Sequence, residues 1–340
     1  MTIRRDGNSP RFSIVILNWN SRGYLQQCLE ALGKQSFRSF EVVCIDNGST
    51  DDSREWLDST DCFAIAGVPV KVYYNDINTG FAAGMNRGMR AAEGEWVIAL
   101  NVDAFPAEDF LEQTDQVISA YPEAAMVGPK VYRYDGGPTE TVICTSVWPT
   151  AHMSVVTDVE EADEERYVFG PAGCCPIFAR RALDDARLET GLTGARDVQY
   201  YDEVYFAYGE DVDLYFRLNL LGHRCIYAPS AKVWHVHSGT QNGIRWHTKS
   251  TATITRLAAN AWFTWLKNCS GYIFWKYLPL IVCLPVLMSI RLLTLRPGAA
   301  WAPLAAYARI ARFMPRMLRI RRYILARRSM DNAYIKTLFR

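Results

Sequence analysis

One acid, Asp331, stands in the last ninety residues of this 340-residue chain, against fifteen lysines and arginines. The overall net charge of +1 therefore hides a split: residues 1–250 hold 22 basic and 35 acidic side chains, or −13, and residues 251–340 hold +14. A single soluble body rarely separates charge this way, so the basic part is expected to meet something anionic. Other absences narrow the chemistry. The nine cysteines form no Cys-x-x-Cys pair, which argues against a zinc ribbon or a thioredoxin-type site. An odd, unpatterned cysteine set fits a reducing compartment. GxGxxG and GxxxxGK[ST] are missing, so neither a dinucleotide fingerprint nor a P-loop is present, and no GxSxG elbow offers a serine nucleophile. Met1 to Pro10 has no apolar core and does not read as a secretory signal, which points to the cytoplasm. Charged residues make up 21% and hydrophobic ones 49%, a balance that supports a sizeable core and excludes wholesale disorder.

What is present over the first 130 residues alternates strand and helix. Apolar, β-branched runs at Phe12–Leu17, Glu41–Ile45, Val70–Tyr74 and Glu95–Leu100 look like buried parallel strands. Helices are expected at 22–35, about 81–92 and about 107–120, with Ser49 or Thr50 capping a further helix after the second strand. Farther on, Met126–Tyr132, Glu140–Val147, Cys225–Ala228 and Lys232–His237 read as strands and Asp211–Leu221 as a helix. The acidic run Asp158–Arg166 reads as a solvated loop. The expected fold class is α/β, a mainly parallel Rossmann-like sheet with helices on both faces.

The tail differs. Tyr277–Ile290 is apolar for fourteen residues and contains Pro279 and Pro285. At ~1.5 Å per residue this stretch falls short of a ~30 Å hydrocarbon core, so an interfacial or re-entrant segment is expected rather than a span. Residues 304–325 place Arg309, Arg312, Arg316 and Arg319 at helical spacing among Ile, Leu, Met and Phe, with Pro315 as the expected kink. The division drawn from this is a catalytic part at 1–250 and a basic, helical, membrane-associating tail at 251–340. The interleaved apolar side chains favour lipid over nucleic acid. The alternative is that the arginines pair with acids of the same chain or of a second copy.

In a parallel α/β sheet, ligands bind beyond the carboxyl ends of the strands. Asn18, Asp46 with Asp51, and Asn101-Val102-Asp103 fall at three such ends. A carboxylate beside a diphosphate needs a bridging divalent cation, because like charges repel. Asp103 either supplies that bridge or caps the helix after Pro106. Glu210-Asp211-Val212-Asp213 opens a helix, where acids suit the helix dipole or one of them serves as a general base. His235 and His237 share one face of a strand and are candidate ligands for an ion such as Mn²⁺.

The stretches FSIVILNWN (12–20), VVCIDNGSTDDS (42–53), NTGFAAGMNRG (78–88), LNVDAFP (100–106), FAYGEDVDLYFRL (206–218) and YAPSAKVWHVHS (227–238) together resemble family 2 glycosyltransferases of the GT-A fold, and within them the rhamnosyltransferase-like enzymes of bacterial surface polysaccharide synthesis. The resemblance covers about residues 12–240. It implies an inverting transfer of a sugar from a nucleotide-diphosphate donor to a hydroxyl, on a lipid-linked saccharide acceptor at the cytoplasmic face of a membrane. Carried over by position, Asn18 and Asp46 would contact the nucleoside, Asn78 and Asn86 would line the nucleotide-sugar pocket, and Asn101 and Asp103 would also bind the nucleotide sugar. Asp103 would hold Mn²⁺ or Mg²⁺ with His235, and His237 is a further candidate. Asp211 would be the base and Glu210 would orient it or bind the acceptor. The family's metal motif is Asp-x-Asp, and Asn101 departs from it. Two other readings are a sugar nucleotidyltransferase, which would normally carry a Gly-rich basic loop where this chain has LNWNSRGY, and a non-catalytic carbohydrate-binding scaffold.

Overall fold

The computed structural model describes residues 9–59, 62–134, 163–236 and 246–330, with 334 and 337. It separates into two compact units, one formed by residues up to 144 with 155–185 and 223–237, the other by 145–154, 186–222 and 238–340. Packing thus groups 186–222 with the C-terminal helices, which is not the division at residue 250 drawn from charge and hydropathy.

The first unit is the sheet. Its elements are β1 (Phe12–Asn18), α1 (Arg22–Gly33), β2 (Phe40–Asn47), α2 (Ser53–Ser59), α3 (Cys62–Ala66), β3 (Val70–Asn75), α4 (Phe81–Ala91), β4 (Trp96–Asn101), β5 (Ala104–Pro106), α5 (Phe110–Ala120), β6 (Ala124–Arg133), β7 (Arg166–Val168), β8 (Ile177–Ala179), α6 (Arg180–Ala186) and β9 (Arg224–His235). The strand order is β3-β2-β1-β4-β8-β6-β9-β5, with β7 on β9. β1 to β4 are mutually parallel, and β8 runs antiparallel to both β4 and β6. This is an α/β, GT-A-like fold, parallel at its N-terminal side and mixed beyond. Every side chain of β2 is buried, as are all but one of β1. That explains why these strands read as continuous apolar runs without alternation. In register, Asn18 lies beside Asp46 and Leu17 beside Asn101, so the polar residues emerge together at one end of the sheet.

Several local expectations are corrected. Neither Ser49 nor Thr50 caps α2; the Asp51 carboxylate accepts from the Ser53 amide at 3.1 Å instead. The two strands expected at 225–228 and 232–237 are one strand, β9, with a register break opposite Pro129 and Lys130. β5 was not foreseen; it is three residues long and too short for a periodic signal. The stretch Glu140–Val147, and all but Asp163 to Arg166 of the acidic run, lie outside the described residues.

The second unit is helical: α7 (Thr190–Thr193), α8 (Glu210–Leu220), α9 (Thr251–Asn268), α10 (Gly271–Leu295) and α11 (Ala306–Arg327). α10 corrects the reading of a segment too short to span. It runs unbroken through Pro279 and Pro285 for 25 residues, or ~37 Å at ~1.5 Å per residue. The apolar count missed Gly271–Lys276 and Arg291–Leu295, whose polar and charged members hid the helix ends. α11 also continues through Pro315. Its buried residues are Ala306, Ile310, Met317, Ile320 and Ile324, at helical spacing on one face. The arginines do not all lie on the opposite face. Arg316 donates to the buried Asp202 carboxylate at 2.6 Å and Arg309 donates to the Val204 carbonyl, whereas Arg312 and Arg319 are exposed.

Candidate functional site

At the ends of β1 and β2 the Asn18 amide donates to Asp46 Oδ2 at 3.1 Å and to Ser49 Oγ at 3.2 Å. The other Asp46 oxygen accepts from the Ser49 amide at 3.1 Å. Asn18 and Asp46 are wholly buried, so their first effect is to order the loop above them. In that loop Asn20 is left-handed (φ 51°), and its side-chain oxygen accepts from the Thr50 amide at 2.7 Å. Gly48 allows the turn: its φ is 73°, and a Cβ there would come within 2.8 Å of the Ile77 and Asn78 backbone.

The next turn is held by a residue the sequence reading passed over. Asn47 Oδ1 accepts from the Thr79 amide at 3.1 Å, the Thr79 hydroxyl at 2.9 Å and the Asn75 amide at 2.9 Å. Asn47 also donates to Asn78 Oδ1 at 3.2 Å. The Asn78 side chain accepts from Gly80 N at 2.8 Å, so it shapes the approach to α4, and Asn86 is buried on that helix. The signal for Asn47 was its place beside Asp46 at a strand end, where a second buried polar side chain has to find its partners in the neighbouring loop.

Asp103 and His235 come together although 132 residues separate them. β5 pairs with β9 so that Ala104 faces His235, and the imidazole Nε2 meets Asp103 Oδ1 at 3.2 Å. Asp103 does not cap α5, which begins at Phe110 with Asp109 in the N-cap position. Both side chains are buried. Burial works against the imidazolium, but the nearby Cys174 sulfur and the Asp103 carboxylate outweigh it and raise the His235 pKa to about 10. Two residues before Asp103, the buried Asn101 side-chain oxygen has no hydrogen-bond partner among the described residues. Raised to about 10, the ring is an imidazolium in the metal-free chain, so His235 would become a ligand only on releasing that proton; it would then join the Asp103 carboxylate and the idle Asn101 oxygen in a donor set suited to a divalent cation that takes its remaining ligands from a diphosphate. Among the described residues there is no cluster of three or more His, Cys, Asp or Glu, so protein side chains alone do not close such a site. His237 lies outside the described residues.

The acidic group belongs to the helical unit. Phe206, Tyr208 and Gly209 all have positive φ (66°, 71° and 90°), and this turn delivers Glu210 and Asp211 to the first turn of α8. Glu210 is buried, and its Oε2 has no hydrogen-bond partner among the described residues. Burial, then repulsion from Asp211 and Asp213, raises its pKa to about 8. Asp211 keeps partial exposure. Burial raises its carboxyl too, opposed by the backbone amides of Val212, Asp211 and Gly209. The two acids therefore titrate as one coupled pair, both held above the ordinary carboxylate range by burial, with Glu210 pushed further by the charges of Asp211 and Asp213.

Residues 13–186 match the family model described as glycosyl transferase family 2. The N-acetylglucosaminyl-diphospho-decaprenol L-rhamnosyltransferase of Mycobacterium tuberculosis is 26% identical over 248 residues, 65% of this chain and 75% of that one. Glycosyltransferase GlyG of Streptococcus pneumoniae serotype 4 is 29% identical over 127 residues, which span 37% of this chain and only 41% of the relative's length. Among solved structures, S. aureus TarS 1–349 in complex with UDP superposes with a TM-score of 0.53 at 16% identity, covering 93% of this chain and 90% of that one. GalNAc-T7 with UDP, GalNAc and Mn²⁺ gives a TM-score of 0.54 at 18% identity over 76% of this chain and 48% of that one.

Proposed function

We infer from membership of glycosyl transferase family 2, to which this chain belongs, that it moves a sugar from a nucleotide-diphosphate donor to a hydroxyl with inversion at the anomeric carbon. Rhamnose is the first candidate sugar and a lipid-linked saccharide the first candidate acceptor, since the mycobacterial relative carries both in its name. The observation that carries the reading is the Asp103–His235 pair beside the idle Asn101 oxygen at the carboxyl end of β4. These three residues would hold Mn²⁺ or Mg²⁺, which when bound offsets the charge developing on the leaving diphosphate. The Asn47–Thr79 and Asn18–Ser49 bonds would preset the loops around the nucleotide. Asp211 would accept the acceptor's proton as its oxygen bonds to the anomeric carbon and the diphosphate departs with the electron pair of the broken C–O bond. Glu210, protonated, would donate a hydrogen bond rather than act as the base. Direct displacement with one base requires no enzyme nucleophile.

The membrane reading is supported by α10 and α11. Among the described residues α10 is the one helix long and apolar enough to cross a bilayer, and most of its surface is exposed. Trp275 is 69% exposed and Trp301 58%, and Arg291, Arg296, Arg312, Arg319 and Arg322 are exposed on the same two helices and their link. Apolar surface edged by tryptophan and arginine suits an anionic membrane, and in such a position the enzyme would meet a lipid-linked acceptor from the cytoplasmic side. A second copy of the chain is the competing partner for that surface.

The test is a donor screen of dTDP-rhamnose, UDP-hexoses and GDP-sugars, read as nucleotide diphosphate release with and without Mn²⁺ or Mg²⁺, with product anomers assigned by NMR. Release from none of these donors in the presence of lipid-diphosphate saccharides, or a retained anomeric configuration, overturns the proposal.

A further inference from the structure

The buried amide of Asn260, on α9, faces the turn that delivers the two acids. Its Nδ2 lies 3.1 Å from the Tyr205 carbonyl, 3.1 Å from that of Ala207 and 2.8 Å from that of Tyr208. The turn it grips contains three residues at positive φ, two of them aromatic. Non-glycine residues hold that conformation only when their surroundings enforce it. The enforcement comes from the same face of α9: Arg256 lies 4.1 Å over the Phe206 ring, and Thr264 bonds the Tyr205 hydroxyl at 2.8 Å. None of these groups is a strand-end residue or a candidate metal ligand. All belong to a helix that the sequence assigns to the tail.

We propose that Asn260 is a positioning residue for the reaction: by clamping Tyr205, Ala207 and Tyr208 it holds the left-handed turn that aims Asp211, so that α9 is part of the acid machinery and not only an anchor. The inference rests on the reading of Asp211 as base. A side chain that bridges three carbonyls within four residues fixes the direction of the following helix start, and a shift of about 1 Å in a reacting group can cost on the order of 100-fold in rate. Loss of the clamp would also let water reach the acids. Glu210 and Asp211 are faced by Asp213 and by the hydroxyls of Tyr201 and Tyr208, so hydration would lower the pair's shared pKa by relieving burial and repulsion.

The experiment compares Asn260→Ala and the isosteric Asn260→Asp with Thr255→Val, which removes a different α9 bond, the 2.7 Å contact to the Ala302 carbonyl. On the full chain, hydrogen exchange over 203–214 should rise in both Asn260 variants and stay unchanged in Thr255→Val. With the donor found in the screen, kcat should fall by about 10- to 100-fold in Asn260→Ala, and further in Asn260→Asp, where oxygens would face the three carbonyls. Binding of UDP or dTDP should stay within twofold. The acid limb of the kcat profile should move to lower pH in Asn260→Ala. Unchanged exchange over 203–214, or a kcat loss in Thr255→Val equal to that in Asn260→Ala, overturns the proposal. Asp211→Asn separates this from the base assignment: normal turnover in that variant removes the base reading, while the exchange data still report on the clamp by themselves.

Discussion

The ammonium of Lys267 lies 2.7 Å from the Asp202 carboxylate, and both side chains are fully withdrawn from solvent. The same nitrogen is 2.9 Å from Asp213, which also receives Asn268 at 2.8 Å and Arg217 at 3.3 Å. Arg316 completes the set on Asp202. The arginine and lysine of α9 and α11 that sequence alone offers to an outside anion thus answer two acids at the heart of their own unit. Two buried carboxylates opposed by three cations can persist only because each charge is paired and hydrogen-bonded.

Lys267→Met should therefore destabilise the fold by about 3–5 kcal/mol, because it leaves charge on Asp202 and Asp213 short of its partner. Burial alone would raise the Asp202 carboxyl, but Lys267 and Arg316 outweigh it and hold it well below the usual range. A carboxyl depressed in the folded state contributes stability at pH above about 4 that is lost as pH falls below it. Denaturant melts at pH 7 and pH 3 measure this. A Lys267→Met chain as stable as the parent at pH 7 would remove the network from the account of folding.

The acid pair gives the opposite slope. Glu210, raised to about 8, holds a proton in the folded chain that the unfolded chain releases near its ordinary pKa of 4.5. Stability should thus decline as pH rises from about 4.5 to 8, and Glu210→Gln should flatten that decline. A thermal-melt series over pH 5–9 reads the difference. Parallel curves would show that the proton sits elsewhere.

Asp211→Asn should lower transfer by ~10²–10⁴-fold, the scale of a lost general base. UDP or dTDP binding should stay within a few fold, because the residue is proposed to act on the acceptor alone. Turnover near normal would remove Asp211 from the role.

Asp103→Ala and His235→Ala should each weaken Mn²⁺-supported binding of a nucleoside diphosphate while leaving nucleoside binding little changed. Calorimetry with both ligands, with and without metal, makes the comparison. Equal weakening of both ligands would point to a folded-state defect, and activity indifferent to chelator would mean that Asn101, in place of an aspartate, has taken metal out of the reaction.

For the membrane face, replacing the exposed Arg312, Arg319 and Arg322 with Gln should reduce flotation with anionic liposomes and make it less salt-sensitive, since each basic residue near such a surface contributes about 1 kcal/mol. Arg316→Gln should act on stability instead, through Asp202. A chain ending at residue 250 should fail to give a cooperative melt, because it lacks the Lys267, Asn260, Asn268 and Arg316 side chains that satisfy 202–213. A well-folded 1–250 fragment would restore the division read from charge.

The sheet was legible because a parallel strand buried on both faces reads as a mostly apolar run, and before their polar ends β1, β2 and β4 are apolar but for Ser13 and Glu41. Its strand-end polar residues were legible for the same reason: after such a run, Asn18, Asp46 and Asn101 stand out. Pairing across distance was not. Asp103 and His235 meet only because β5 and β9 are antiparallel neighbours, and a three-residue strand has no period to read. Nor could spacing separate Arg316, which faces a buried acid, from Arg312, which faces solvent: both lie on one amphipathic helix, and the face that turns inward is chosen by what α9 and the 199–205 segment present to it. Asn260 looked like an ordinary helix polar residue, since its three acceptors lie more than fifty residues away in the chain. Local side-chain chemistry and periodicity determined the strands, the helices and the residue types of the site. Which charges are buried, which are offered to a partner, and which helix holds the acids were decided by tertiary packing, because a charge leaves water only where the fold brings it an opposite one.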